Sequence, residues 1–333
     1  MSNLQFSIAN PMDVMDVEEK NAALPAADID CSGAWLFWAE PPDAAFVRLM
    51  ETMGQLEPVL VAREQGCYRL VTGYKRVLAC QELQRPVRCR IVNADDRMKG
   101  RVYLHLNRQR RITGAGLVRA LRFFQAVPGC KDRTGLESEF EGLIPAKMLK
   151  VLLHWLHLEP FWDAGLHAGR VPFEAGPILS GLEPLDRQAC EPFFTELSWS
   201  WNKARQFLTQ LLESAKRDGL QLAALLRQER LAEILGKELS PNDCLKALLQ
   251  RSERIRYPVL NRLEHSFQTV QADCVRKTRW RILPEQHFES NGFVLQTRIS
   301  SPQDLERSLE QLQRLSEQGA FEPVWHWQQE NLD

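Results

Sequence analysis

The sequence predicts an α+β protein, in which a small mixed α/β domain is followed by an all-helical segment and a small C-terminal α+β module. Three observations predict this order. Short β-like runs surround one helical run between residues 58 and 92, residues 99–218 have almost continuous helical periodicity, and strand-like runs return after residue 279. A chain of 333 residues is long enough for two or three domains that each bury a core.

Residues 1–30 are expected to be an acidic, flexible lead-in. They show few periodic signals, and residues 1–60 carry ten Asp or Glu against only two cations, Lys20 and Arg48. They also lack the basic and apolar regions of a signal peptide, and no run approaches the about 20 apolar residues that a membrane span requires. A cytoplasmic location without membrane attachment is the expectation.

The α/β domain is expected to begin with a helix that Pro41-Pro42-Asp43 opens and Gly54 ends. Three β-like runs follow, PVLVA, CYRLV and VRCRIV, at residues 58–62, 67–71 and 87–92. A helix over residues 74–84 separates the second run from the third. This rhythm is typical of a small mixed α/β domain.

Residues 69–122 are strongly basic. They contain fourteen Lys or Arg against three acids, Glu82, Asp95 and Asp96. A local positive field of this kind suits the phosphates of a nucleotide or of a nucleic acid. The alternative is that the arginines simply solvate the faces of helices and strands. We expect Asp95 and Asp96 to be helix caps rather than metal ligands.

The helical segment contains a helix with Thr113 as its candidate N-cap and a very apolar helix over residues 145–158. The spacing of 3, 4 and 3 residues places the polar side chains of the second helix on one stripe, which consists of Lys147, Lys150, His154 and His157. The stripe is either an ordinary solvated face or a surface that contacts phosphates. Another amphipathic helix, over residues 202–217, ends at Gly219.

The C-terminal module combines helical patterns with the strand-like runs WRILP and GFVLQTRIS. Its closing helix begins with a Ser301 cap, Pro302 in the first turn and Asp304 at the third position. The leucine stripe over residues 305–315 is either core or an oligomer contact.

Two further features of the chain indicate residues that pack in the protein core and do not react or bind a ligand. Eight cysteines without a CxxC pair are expected to be reduced and mostly buried thiols. Trp325 and Trp327 follow Pro323 in a strand-like alternation that favours packing.

The stretch LVTGYKRVLACQEL, residues 70–83, places Gly73 between a strand-like run and a helix. Glycine lets a ligand approach the backbone closely. The N–H groups and the dipole of a helix start favour an anion, and Lys75 and Arg76 add full positive charges at the same place. By itself, the stretch is therefore either an anion-binding site or an ordinary glycine start of a helix.

Together with its neighbours, this stretch resembles the N-terminal domain of the ParB family of chromosome and plasmid partition proteins. The resemblance lies in four segments in the family's order: GQLEPVLV (54–61), YRLVTGYKRVLACQEL (68–83), PVRCRIV (86–92) and LNRQR (106–110). The residues that match the family's motifs are Gly54, Gln55, Pro58, Val59, Gly73, Lys75, Arg76, Asn107, Gln109 and Arg110. The resemblance implies a ParB/sulfiredoxin-like fold.

It also implies a nucleotide-binding domain at residues 31–105 that holds CTP, with or without Mg²⁺. The residues implied to surround the nucleotide are Gln55, Gly73, Tyr74, Lys75, Arg76, Asn107, Gln109 and Arg110. Tyr74 and Leu106 stand where the family has glutamate. Because a leucine cannot ligate a metal ion, nucleotide binding is expected more than hydrolysis, and a weak CTPase activity stays open.

The same resemblance implies a helix-turn-helix-like DNA-binding domain at residues 106–219 and a C-terminal module at 220–333 that could mediate oligomerisation. Gly142 then lies at the turn, and the helix from Pro145 takes the recognition position. The residues implied to contact DNA are Lys147, Lys150, His154 and Arg170. The implied partners are DNA, a second copy of the chain in a clamp-type homodimer, and a ParA-type ATPase, with the protein at the nucleoid.

Two alternatives to this function stay open. A degenerate adaptor would keep the fold and bind protein partners without nucleotide chemistry, which Leu106 and the apolar recognition helix favour. An enzyme such as a small-molecule kinase would need an acidic base and metal ligands near the pocket, for which Asp95 and Asp96 are the candidates. A sulfiredoxin-type reaction is not expected, because Tyr74 occupies the position of the reactive cysteine.

Overall fold

A five-stranded mixed sheet lies near the N-terminus of the computed structural model, which describes residues 16–108, 112–128, 132–276, 278–285, 288 and 292–332. The strands in chain order are β1 (Asp16–Leu24), β2 (Ile29–Asp30), β3 (Val59–Glu64), β4 (Cys67–Thr72) and β5 (Val87–Asn93). Across the sheet their order is β1-β5-β3-β4-β2, with β5–β3 and β4–β2 parallel and the other pairs antiparallel. The predicted α+β class is confirmed.

The helices of this sheet domain are α1 (Ala44–Met53), α2 (Tyr74–Glu82) and α3 (Asp96–Leu106). Asp43 caps α1 by accepting a hydrogen bond of 2.8 Å from the backbone N–H of Phe46. Asp95 caps α3 in the same way, through Met98 at 2.7 Å. Both starts agree with the sequence, because a carboxylate before a helix satisfies a backbone donor that has no partner in the first turn.

The prediction of a flexible lead-in is wrong for residues 16–30. Strand β1 pairs with β5 from Asp16 to Leu24, with two register shifts, and β2 pairs with β4. These are the two edges of the sheet. An edge strand needs only backbone groups to pair, and an acidic sequence supplies them as well as an apolar one does, so hydrophobic periodicity gave no signal.

Helices dominate the chain after the sheet, as predicted. They are α4 (Gly114–Ala126), α5 (Arg133–Phe140), α6 (Ala146–His154), α7 (Pro160–His167), α8 (Gly176–Ser180), α9 (Pro184–Cys190) and α10 (Trp201–Arg217). Thr113 caps α4 through the N–H of Gly116 at 3.1 Å. Gly142, in the turn between α5 and α6, has a φ of +72°, a conformation that glycine adopts without strain.

The chain divides into two units, Met1–Arg205 and Gln206–Asp333, and α10 runs across the division. The predicted domain bounds at residues 31–105, 106–219 and 220–333 stay predictions. Among the described residues, no helix combines the length and the apolar character that a membrane crossing requires.

The second unit is itself an α+β arrangement. Its elements are α11 (Leu222–Gln228), α12 (Ala232–Leu235), α13 (Pro241–Arg256), α14 (Pro258–Cys274), β6 (Arg281–Pro284), β7 (Phe293–Gln296), α15 (Pro302–Glu317) and α16 (Glu322–Leu332). Strands β6 and β7 pair antiparallel, and Ser301 caps α15 as predicted. The strand-like interpretation of Trp325 and Trp327 is wrong, because both lie in α16. Val324 and Trp327, three residues apart, are buried against Phe267 in the core of this unit.

A cluster of aromatic rings joins the sheet domain to the helices that follow it in the first unit. The indole N–H of Trp35 donates to the carbonyl of Leu70 at 2.9 Å, which fixes the segment before α1 against β4. The ring of Phe37 lies 5.6 Å from Tyr103 on α3 and 5.4 Å from Phe123 on α4, measured between centroids. These contacts bury the segment before α1 and hold α3 and α4 in one core.

A buried carboxylate adds an ionic connection between the same two parts. The Glu139 side chain on α5 is fully buried and accepts hydrogen bonds from two arginines of α3. Arg97 approaches within 2.6 Å of Oε1, and Arg101 within 2.6 Å of Oε2. Both carboxylate oxygens are therefore satisfied, as a buried charge requires.

Replacing this carboxylate should destabilise the first unit. For Glu139→Ala we expect the free energy of unfolding to fall by about 2–3 kcal/mol, because two arginines are then left without the acceptor around which they pack. Chemical denaturation followed by circular dichroism measures the change. The matched control is Glu137→Ala on the same helix, whose partner Arg133 is 70% exposed, and there we expect a change of about 0.5 kcal/mol or less. Equal destabilisation in the two variants would contradict the role of the buried bridge.

Candidate functional site

The backbone at Gly73 forms the junction between β4 and α2. Gly73 precedes the first residue of α2 with a φ of +107°, in the region that favours glycine. A Cβ at this position would lie 2.5 Å from Cγ1 of Val59 on β3, so the packing also excludes a side chain. Because its N-cap is a glycine, α2 receives no side-chain hydrogen bond from the cap residue. The junction therefore presents the N-terminal N–H groups of a helix without a side-chain acceptor, which is the arrangement that binds anions in many proteins.

Asn107 lies beside this junction. It follows the last residue of α3, is buried, and donates from Nδ2 to the carbonyl of Tyr103 at 2.8 Å. The same nitrogen lies 3.5 Å from Oγ1 of Thr72, the residue directly before Gly73. The structure thus brings Asn107 to the glycine junction across 34 residues of sequence. It also adds Thr72, which the sequence reasoning did not single out although it stands inside the quoted stretch.

Lys75 lies in the first turn of α2 and is the more available of the two predicted cations. Its Nζ lies 3.9 Å from a carboxylate oxygen of Glu40, a side chain that is 75% exposed. An ion pair with so exposed a partner contributes little energy and can be exchanged for another anion. Tyr74, the first residue of α2, is half-buried. Glu40 is a site neighbour that no sequence pattern indicated, because it comes from the segment before α1.

The guanidinium of Arg76 donates hydrogen bonds to the backbone of a neighbouring segment. Its Nη1 donates to the carbonyls of Glu57 and Pro58 at 3.0 and 3.1 Å, and lies 3.4 Å from the Glu57 carboxylate. The guanidinium therefore fastens α2 to the segment that leads into β3. This contact gives Arg76 a positioning role in the junction.

Gln55 is also engaged with the backbone. Its Nε2 donates to the carbonyl of Arg88 at 2.7 Å, and its Oε1 accepts from the N–H of Arg88 at 2.7 Å. The side-chain amide therefore pairs with β5 as a neighbouring strand would. Of the predicted nucleotide-binding residues, Gln109 and Arg110 lie outside the described residues.

The structure does not support a metal centre at the junction. Leu106, at the end of α3, is 46% exposed and offers no ligand atom. Among the described residues, no three His, Cys, Asp or Glu side chains lie close enough together to hold a metal ion. The residues described at the junction thus offer N–H groups, an amide and Lys75 to the phosphates of a nucleotide, while Leu106 offers no oxygen to a metal ion.

Most cations of the basic segment bond to the protein. Among the described residues, those that contact carboxylate or carbonyl oxygens of the chain are Arg69, Lys75, Arg76, Arg85, Arg88, Arg97, Lys99, Arg101 and Arg122. Lys99 is almost completely buried, with its Nζ 2.9 Å from Asp96 and 4.6 Å from the centre of the Trp35 ring. The density of positive charge in the sequence therefore reflects internal connections more than an open phosphate-binding surface.

The thiol of Cys80 has no reactive character. Cys80 lies in α2, two turns beyond Gly73, and is buried, and burial raises the pKa of its thiol. A buried thiol with a raised pKa is a poor nucleophile, which agrees with the expectation that a sulfiredoxin-type reaction is absent.

The polar stripe of α6 and the turn after it faces solvent. Its four residues, Lys147, Lys150, His154 and His157, are all exposed. Nδ1 of His154 lies 2.8 Å from Oγ of Ser180. Desolvation, followed by the charges of His157 and Arg133, lowers the pKa of His154. His154 therefore contributes less positive charge to the stripe than Lys147 and Lys150 do.

Arginines hold the loop that follows α6. Arg122 on α4 donates to the carbonyls of Trp155 and Leu158 at 2.8 and 2.7 Å, where the helical turns after α6 end. Arg170, predicted to contact DNA, donates to the carbonyl of Thr195, and its own carbonyl accepts from the N–H of Trp199 at 3.0 Å. The position of Arg170 thus gives it a role in folding this loop.

Comparisons with known proteins point to one family. The family model of the ParB N-terminal domain matches residues 44–108, from α1 to the residue after Asn107. This range contains the Gly73 junction and every predicted nucleotide-binding residue that the structure describes. A comparison with curated proteins finds no match.

Three solved structures share a low similarity with the chain. Caulobacter crescentus ParB complexed to the centromeric parS site is 13% identical, with a TM-score of 0.33, and the alignment covers 63% of this chain and 98% of that one. The same protein complexed with CTP-gamma-S is 15% identical, with a TM-score of 0.24 and coverages of 53% and 99%. A Pnob8-like ParB-N domain is 11% identical, with a TM-score of 0.35 and coverages of 75% and 98%.

These TM-scores lie below 0.5 and the identities below 25%, so the assignment rests on the match over residues 44–108 together with the motifs inside it. Within that range Gly54 ends α1 and Gly73 precedes α2, as the sequence predicted. Residues 44–108 of the chain therefore match the ParB N-terminal domain.

Proposed function

We propose that the chain is a nucleotide-responsive DNA-binding protein of chromosome or plasmid partition, in which CTP binds at the β4–α2 junction. One observation carries the proposal: within the family domain, α2 begins at a left-handed glycine without a side-chain cap, and Asn107, Thr72 and Lys75 surround that start. Bound CTP would supply the negative charge of a triphosphate to these donors.

Each residue has a distinct part in this scheme. The N–H groups at the start of α2 donate to phosphate oxygens, and Lys75 exchanges the exposed Glu40 carboxylate for a phosphate. Asn107 offers its amide beside Thr72. Gln55 and Arg76 hold the surrounding segments in place through backbone contacts. Neither hydrolysis nor a magnesium ion is part of the scheme, because Leu106 offers no oxygen.

The DNA-binding half of the proposal rests on α5, the turn at Gly142 and α6. Two short helices joined by a glycine turn give the order of a helix-turn-helix, with α6 in the recognition position. The exposed Lys147 and Lys150 can contact phosphates without reading bases. By its resemblance to the family, the protein acts as a homodimer that nucleotide closes around DNA, with a ParA-type ATPase as a further partner.

A second candidate function is an adaptor that binds protein partners without nucleotide. Specific observations favour it: Gln55 and Arg76 bond to the backbone, and Leu106 is 46% exposed where the family has an acid. The adaptor and the switch differ in what Lys75→Ala does. An adaptor keeps its protein partners in that variant, whereas a nucleotide switch loses the effect of CTP on them.

Nucleotide binding is measured directly by isothermal titration calorimetry with CTP, ATP and GTP. We expect the wild type to bind CTP, and Lys75→Ala to weaken binding about 10- to 100-fold, because a charge-assisted hydrogen bond contributes about 1.5–3 kcal/mol. The control is Lys147→Ala, an exposed lysine outside the nucleotide site, which should leave the affinity for CTP unchanged. Absence of binding to all three nucleotides would exclude the nucleotide half of the proposal.

DNA binding is tested by the fluorescence anisotropy of a labelled duplex at increasing salt. The affinity should fall steeply with salt, and Lys147→Ala/Lys150→Ala should reduce the slope of log K against log salt by about 0.9 per lysine that contacts a phosphate. The control double variant, Lys203→Ala/Lys216→Ala, removes two exposed lysines from α10 and should leave the slope unchanged. A salt-independent affinity in the wild type would rule out phosphate contacts.

A further inference from the structure

A cleft of about 640 Å³ opens in the second unit, where the segment after α14 faces α15. Arg276 and Arg279 contribute from the segment, and Arg307 and Arg314 contribute from the helix. None of these residues belongs to the ParB N-terminal domain or to the stripe of α6. The cleft is therefore a feature that the proposed function leaves unused.

The side chains of α15 that line the cleft form a regular row. Arg307, Gln311, Arg314 and Gln318 follow one another at intervals of 4, 3 and 4 residues, which places them on one face of the helix. With a rise of about 1.5 Å per residue, the row extends over about 16 Å. Arginine offers only donors, and a glutamine amide can turn its donors toward an anion. The row is thus a line of hydrogen-bond donors that the Glu310 carboxylate on the same face interrupts.

Charges within the cleft leave a positive excess. Four arginines face two acids, Asp304 and Glu310. Asp304 is already occupied, since it accepts from Arg279 at 2.7 Å and from the hydroxyl of Ser300 at 2.7 Å. Glu310 lies 3.9 Å from Arg314, and both side chains are at least 70% exposed, so this pair is weak. Among the described residues, no hydrogen bond or ion pair engages the guanidinium of Arg276 or Arg307.

We propose that this cleft binds a linear chain of phosphate groups, either the phosphodiester backbone of a nucleic acid strand or an inorganic polyphosphate. The planar fork of arginine matches phosphate oxygens with two parallel hydrogen bonds, which a compact ammonium cannot do. A row of donors about 16 Å long can face several successive phosphates, whose axial spacing along one nucleic acid strand is about 3.4 Å. A single small anion would use only one end of the row.

The test uses the full chain with Lys75→Ala, Lys147→Ala and Lys150→Ala as a background, so that the nucleotide site and the stripe of α6 do not contribute. Inorganic tripolyphosphate is titrated by calorimetry, and a labelled single-stranded octanucleotide by fluorescence anisotropy. In this background, Arg307→Gln/Arg314→Gln should weaken binding at least about tenfold. It should also reduce the salt slope for the oligonucleotide by about 0.7 for each phosphate that an arginine no longer neutralises. Binding at the cleft is then measured separately from binding of CTP at the proposed nucleotide site, so that either proposal can be contradicted without the other.

The matched control is Arg227→Gln/Arg262→Gln, which removes two exposed arginines of the same unit that do not line the cleft. It should change the affinity less than about twofold. Arg307 and Arg314 are exposed, so the variant should keep its thermal midpoint, which circular dichroism verifies. Binding of only tripolyphosphate identifies a free polyphosphate as the ligand, and binding of only the oligonucleotide identifies a nucleic acid backbone.

Three results would overturn the proposal. The first is no binding of either phosphate probe to the background protein. The second is an equal fall in affinity in the control variant, which would show that the loss of affinity follows the net charge of the protein and not the position of the arginines. The third is tighter binding of a poly-glutamate octapeptide than of either probe, which would identify an acidic peptide as the occupant.

Discussion

The left-handed backbone at Gly73 is the constraint on which the candidate site depends. With a φ of +107° and the Cγ1 of Val59 only 2.5 Å from where a Cβ would lie, the chain can pass from β4 into α2 only with glycine at this point. The same geometry leaves the helix start without a side-chain cap. Close packing of strand and helix and a helix start without a side chain on its cap residue are therefore two consequences of one missing side chain.

The motif residues around this glycine divide into two physical roles. Gln55 and Arg76 direct their polar groups at backbone carbonyls and hold the segments before β3 and beside β5. Lys75 and Asn107 lie at the mouth, where one pairs with an exposed carboxylate and the other contacts the residue before the glycine. A sequence motif contains both kinds of residue without distinguishing them. The side-chain contacts separate the residues that position the site from those that can bind a ligand.

Local patterns predicted the elements that local forces determine. The caps at Asp43, Thr113 and Ser301 and the glycine turns followed from residue type and spacing, because each involves groups within four positions of one another. Strand β1 did not follow, because it depends on backbone pairing with a strand about 70 residues later. The family domain and the junction at Gly73 were accessible from the sequence. The neighbouring residues Glu40 and Thr72 could be identified only from the folded structure. The same is true of the contacts that Gln55 and Arg76 make with the backbone.

Charge was the least predictable property, for a related reason. The arginines of α3 find their acid at Glu139, about 40 positions later, and most cations in residues 69–122 have partners inside the protein. The arginines of the C-terminal cleft come instead from two separate segments, a short basic run at residues 276–281 and the mixed-charge helix α15. Density of charge along the chain and density of charge on the surface are thus different quantities.

If CTP binds at Gly73 and is not hydrolysed, the protein can switch only through the difference in nucleotide affinity between its open and closed states. A shift from 1% to 99% closed would require the closed state to bind about 10⁴-fold more tightly. Among the described residues of the junction, the helix N–H groups of α2, Asn107 and the cation Lys75 offer few donors to supply that difference within one chain. Such a difference is easier to reach when a second subunit or bound DNA adds contacts in the closed state alone. Under the proposed function, we therefore expect the nucleotide to close the protein together with DNA or a second subunit, and not by its binding alone.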